Sequence, residues 1–135
     1  MPPSSGSSPN ADCMPCLFAI PKAFRGHFGT IQRNAIRSWT LLKPSWEILL
    51  FGDEEGTAAL CREWRLRHVP EVTRNEFGTP LLDDIFRKAQ ALSAEDILCY
   101  VNADILLLED FPRAVEAVSL RAWLEALKAV YLVFA

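Results

Sequence analysis

The strongest constraint on this chain is an alternation of short apolar runs with stretches of helical periodicity. Cys16 to Ile20 is a continuous apolar run that stops at Pro21, as a strand buried on both faces does. Ile48-Leu49-Leu50-Phe51 is a second such run, closed by Gly52. Arg67 to Val72, "RHVPEV", is a third and shorter one, in which Pro70 favours a sheet edge because proline cannot donate to a ladder. Ile97 to Val101 is the fourth. Between them, apolar positions Ile31, Ala35, Trp39 and Leu42 recur at helical spacing from Thr30 until Lys43-Pro44. Thr57 is a good N-cap for a helix through about Leu66, with Asp53, Glu54 and Glu55 favourably placed before it. Thr79-Pro80 supplies a cap and a first-turn proline ahead of the stripe Leu82, Ile85, Phe86, Ala89 and Leu92. Asp110 can cap a further helix that begins with Phe111-Pro112.

The order β-α-β-α-β-α-β-α predicts an α/β fold of three layers, α-β-α, around a mostly parallel sheet of about four strands joined by right-handed crossovers. Length agrees, since 135 residues suit one domain and one core. Residues 1–15 read as a disordered tail, because "MPPSSGSSPNAD" is dense in Pro, Ser and Gly. Residues 16–118 form the α/β domain. Residues 119–135 read as an amphipathic helix, with Leu120, Trp123, Leu124, Leu127, Val130, Tyr131 and Phe134 on one face.

Composition excludes several classes. Net charge is −3 from 14 basic and 17 acidic residues, which gives no electrostatic reason to expect nucleic acid or an anionic membrane as partner. No apolar stretch reaches the roughly 20 residues of a membrane span, and the N-terminus lacks the charged and apolar regions of a secretory signal. A soluble, cytoplasmic protein is the expectation. Cys13-Met14-Pro15-Cys16 has the spacing of half a zinc site or a redox pair, but no second closely spaced Cys/His pair completes four ligands. Reduced thiols in a cytosolic compartment are the favoured reading. No Gly-x-Gly-x-x-Gly follows the first run, no phosphate-binding Gly-x-x-x-x-Gly-Lys-Ser/Thr occurs, and no Gly-x-Ser-x-Gly elbow is present. His27 and His68 stand apart, neither beside an obvious serine or cysteine partner.

Open parallel sheets bind ligands at the carboxyl ends of their strands, and here those ends carry the unusual polar groups. Pro21-Lys22 ends the first run, Gly52-Asp53 the second, Arg74-Asn75 follows the third, and Asn102-Ala103-Asp104 ends the fourth. An aspartate inside "LCYVNADILLLED" is costly unless something pairs with it.

Three stretches in order, "CLFAIPKAF", "SWTLLKPSWEILLFGDEEG" and "AQALSAEDILCYVNADILLL", resemble the nucleotide-binding half of glycosyltransferases of the GT-A fold. The resemblance implies a Rossmann-like, N-terminal donor-binding half that binds a nucleoside-diphosphate sugar. Asp53 then stands where that family contacts the base or ribose, and Asp104 where the last acid of the DxD motif holds Mn²⁺ or Mg²⁺ across the diphosphate. The resemblance also implies that Arg74, on the loop after the third strand, and Lys22 and Arg25, on the first loop with Pro21, are candidates to face the phosphates. Asn102 stands where the motif often has Asp, and it coordinates through its carbonyl or bonds a ribose hydroxyl. A metal held by hard oxygen ligands neutralises the leaving diphosphate.

Only 31 residues follow Asp104, where the family has its acceptor-binding half, and no catalytic base is assigned. Asp83 and Asp84 are conspicuous, but a place in the first turns of a helix explains them. Two alternatives stay open: a catalytically inactive fragment of that family, and a small α/β binding or interaction domain without transferase activity.

Overall fold

A computed structural model of the chain describes residues 15–43, 45–93, 97–124 and 130–134, with side chains up to residue 117. The elements are β1 (Cys16–Ala19), α1 (Gly26–Thr40), β2 (Glu47–Phe51), α2 (Thr57–Trp64), β3 (Arg67–Val69), α3 (Leu82–Leu92), β4 (Ile97–Val101), α4 (Asp110–Leu124) and β5 (Val130–Phe134). The strands form one sheet in the order β3-β2-β1-β4-β5, and every neighbouring pair is parallel. β3 is the edge that Pro70 foretold. The fold is therefore the expected α/β half, with one strand more than the four anticipated.

That extra strand corrects the reading of the C-terminus. The single amphipathic helix expected over 119–135 does not form. α4 runs to Leu124, and Val130–Phe134 joins β4 in parallel register, Ile97 opposite Val130 and Val101 opposite Phe134. "VYLVF" is a β-branched and aromatic run that suits a pleated surface, and its apolar positions fit a helical stripe equally well. The tail expected over residues 1–15 lies, apart from Pro15, outside the described residues, and so does Cys13.

Alternate side chains of each strand point to opposite faces, which produces two cores. Leu17, Ala19, Leu50, Cys99 and Val101 pack with Ile36 and Trp39 of α1, Leu60 of α2, and Phe111 and Val115 of α4. Cys16, Phe18, Leu49, Phe51, Leu98 and Tyr100 pack on the other side with Ile85 and Ala89 of α3. Two apolar layers thus sandwich the sheet, and burying each Leu-sized side chain contributes roughly 1.5–3 kcal/mol. The burial also silences the thiols. Desolvation, helped by nearby Glu47, pushes Cys16 up to about 12, and burial pushes Cys61 up to about 11, far from the lowered value of a redox-active thiol.

The helix starts differ from expectation, and α4 already includes Asp110, the residue expected to cap it. α1 begins at Gly26, four residues before the Thr30 at which the helical spacing starts, with no side-chain cap. Gly29 packs there against the Phe24 backbone, where a Cβ would fall 3.0 Å from the Phe24 carbonyl carbon. α2 takes Gly56, at φ +90°, as its N-cap, so Thr57 is its first helical residue and not its cap. Phe24 leaves no room for a side chain at position 56, since a Cβ would fall 2.7 Å from the Phe24 Cβ. α3 starts at Leu82, two residues beyond Pro80. The backbone of 79–81 is already committed, because Asn75 N–H donates to Thr79 O and Leu81 N–H to Thr73 O, both at 2.8 Å.

Candidate functional site

A cleft of about 470 Å³ opens at the carboxyl ends of β1 and β4. β1 pairs with β2 on one side and β4 on the other, so chain direction around the sheet reverses here, where open α/β sheets take ligands. Pro21, Lys22, Arg74, Asn102 and Asp104 all line it. Sequence positions 21 to 104 therefore meet at one crevice.

The wall after β1 is held by a residue that sequence reasoning missed. Gln32, 3% exposed, accepts from Lys22 N–H at 2.7 Å and donates Nε2–H to Lys22 O at 2.9 Å. Both polar groups of the Lys22 peptide are thereby satisfied by one α1 side chain. The Lys22 ammonium lies 5.1 Å from the Phe28 ring centroid, within cation–π range. A glutamine inside the buried stripe Gly29, Gln32, Ala35, Ile36 and Trp39 was the available signal, because a buried amide must find partners.

On the opposite wall, Arg74 donates Nη1–H to Gly78 O at 2.9 Å and Nη2–H to Asp53 Oδ1 at 3.3 Å, with Glu54 Oε2 at 3.6 Å. The turn beneath it is an Asx turn, in which Asn75 Oδ1 accepts from Phe77 N–H and Thr79 N–H. Asp53, 74% exposed at its side chain, lies outside the cleft and pairs with Arg74; Glu54 lines the cleft instead. Arg25 also lies outside it and pairs with Glu55.

Asp84 supports the Arg74 wall from behind. It is 4% exposed, and its carboxylate accepts from Thr73 N–H at 2.9 Å and from Arg87 at 2.7 Å, with Lys88 at 3.4 Å. The Thr73 amide, with Lys88 assisting against the cost of burial, holds the carboxyl down to about 2. The helix-dipole account of Asp84 is thus incomplete, since a tertiary contact eleven residues upstream dominates.

The third wall follows β4. Ile105 N–H donates to Asn102 O at 3.1 Å, closing a turn over 102–105. α1 anchors that turn, because Trp39 Nε1–H donates to Ile105 O at 2.8 Å and Leu107 N–H donates to Ser38 Oγ at 3.0 Å. Ala103 is buried, whereas Asp104 is exposed. Among the described residues, neither the Asp104 carboxylate nor the Asn102 side chain has a hydrogen-bond or ion-pair partner.

The cleft lining balances two cations, Lys22 and Arg74, against two anions, Glu54 and Asp104. Such a site has no surplus charge for a diphosphate. It does offer one carboxylate and one amide oxygen as hard donors. Among the described residues no cluster of three or more His, Cys, Asp or Glu could enclose a metal ion. The donor set fits a cation that completes its shell with phosphate and water oxygens, as Mg²⁺ commonly does, and not an all-protein cage. Among the described residues no helix is long and apolar enough to cross a membrane. No family model, no curated protein and no solved structure matches this chain.

Proposed function

We propose that the cleft binds a nucleoside-diphosphate sugar together with Mg²⁺ or Mn²⁺, as the donor site of a glycosyltransferase-like protein working in the cytosol. The observation that carries this reading is the unpaired Asp104 and Asn102 on one wall, facing a cleft whose other walls present Lys22 and Arg74. A cation on Asp104 would turn a neutral crevice into one that attracts a diphosphate and would stabilise charge on the leaving group. Lys22 holds its place through Gln32 and offers an ammonium to the phosphates. Arg74 offers a planar guanidinium fork, suited to bidentate phosphate contact, and phosphate oxygens would compete with Asp53 and Glu54 for it. The free thiols of Cys16 and Cys61, both buried in the core, agree with a reducing compartment.

The test is a thermal-shift panel of UDP, GDP, TDP and their sugars at millimolar concentration, with and without Mn²⁺. A ligand at tenfold its Kd should stabilise the protein by about 1.4 kcal/mol, roughly 5 °C for a chain of this size. Asp104→Ala should abolish the metal-dependent part. Absence of any shift across the panel would sink the donor-site reading.

One observation favours a binder without transferase activity. The carboxylates lining the cleft are Glu54, beside Arg74, and Asp104, assigned to the cation; neither is left as a general base. Hydrolysis of a sugar nucleotide by the purified chain would show a working centre, and binding without turnover would show a donor-binding module.

A further inference from the structure

Tyr100 carries a polar group that the packing of the fold does not explain. It stands on β4 opposite Phe18 of β1. Its ring is set edge-on between Phe18 at 5.5 Å and Phe86 at 5.7 Å, both at 67°, the geometry aromatic pairs prefer. Only 8% of the residue is exposed, and that remainder lines the cleft. Among the described residues the hydroxyl has no hydrogen-bond partner. Among the described residues only Thr57 Oγ1 is a fully enclosed side-chain polar atom without a partner, so the Tyr100 hydroxyl reaches solvent through the cleft, and phenylalanine would pack the same ring without placing a donor there. Asn102, two positions on, lines the same cleft with its amide unpaired. Burial raises the phenol above its ordinary value, so at neutral pH the group is a neutral O–H donor.

We propose that Tyr100 is a ligand-contacting residue, its hydroxyl donating from the cleft floor to an oxygen of the bound nucleotide sugar. The inference rests on the nucleotide-sugar reading of the cleft and adds a polar contact to the charged ones. The rigid ring fixes where the hydroxyl stands before ligand arrives, so the contact needs little ordering on binding.

The experiment compares the full chain with its Tyr100→Phe variant. Thermal unfolding is measured alone and with UDP, GDP or TDP, and with their sugars, all with Mn²⁺. The expected result has two parts. Without ligand, the variant melts at the same temperature as the parent or higher, because an unpartnered hydroxyl has been removed. With ligand, its apparent Kd rises about 5- to 10-fold, as for the loss of one hydrogen bond. A loss seen with the diphosphate alone places the contact on the nucleotide, and one confined to the sugar-bearing ligands places it on the sugar; both support the proposal. A lower melting temperature without ligand would show a structural hydroxyl and overturn it. An unchanged Kd in the variant would overturn it while leaving the cleft reading intact. No response of the parent chain to any ligand would overturn both.

Discussion

Two aspartate-bearing segments, 73–88 behind the Arg74 wall and 102–107 after β4, put the same side chain to opposite uses. Asp84 is buried and saturated, by Thr73 N–H, Arg87 and Lys88. Asp104 is exposed, with no hydrogen-bond or ion-pair partner among the described residues, on a turn whose backbone is held by Trp39 and Ser38. In the first segment the carboxylate holds the backbone; in the second the backbone is held by others and the carboxylate is left free. A free carboxylate on a fixed backbone is what a ligand site needs.

The contrast can be broken at its anchors. Trp39→Ala removes a side chain that is 1% exposed together with the bond to Ile105 O, and should cost about 3–5 kcal/mol, read by chemical denaturation. Loss of protection at the 102–107 amides in hydrogen exchange should exceed that at the Thr73 amide.

Asp84→Asn should have the next largest effect. The Asp84 carboxyl is held at about 2 against an ordinary 3.8, so the unfolded chain takes up the proton first as pH falls. The stabilisation is complete above about pH 4 and disappears as pH drops through about 2. The parent's melting temperature should therefore fall over that window, and the variant, already lower at pH 7, should show a flatter profile. Identical profiles would show that Asp84 does not secure the Arg74 wall.

Asp104→Asn should be the mildest without ligand, within about 0.5 kcal/mol of the parent, since nothing in the fold depends on its charge. A large destabilisation would erase the distinction between the two segments.

Much of the frame was legible because parallel strands buried on both faces announce themselves as short apolar runs. Ile97–Val101 appears as read, and Ile48–Phe51 is short by only Glu47. The cleft was legible for a related reason: strand ends in such a sheet must converge, so Pro21, Lys22, Arg74, Asn102 and Asp104 meet, while Asp53 stops one contact short. What escaped depends on partners distant in sequence. Gln32 matters through the Lys22 peptide, Asp84 through the Thr73 amide, and the start of α2 through the bulk of Phe24 at Gly56. β5 escaped because a run of five apolar residues satisfies both strand and helix periodicity.

Helix α1 touches two walls of the cleft, Gln32 gripping the loop after β1 and Ser38 and Trp39 gripping the turn after β4. The loops that carry Lys22 and Asp104 are thus mounted on one rigid rod, at anchor positions six to seven residues or about 10 Å apart along its axis at 1.5 Å per residue. Arg74 is mounted elsewhere, on the loop that Asp84 secures. The crevice is therefore a caliper with one fixed jaw and one separate jaw. A change of gape between apo and bound forms would be carried by the Arg74 jaw, with the spacing of Lys22 and Asp104 preserved.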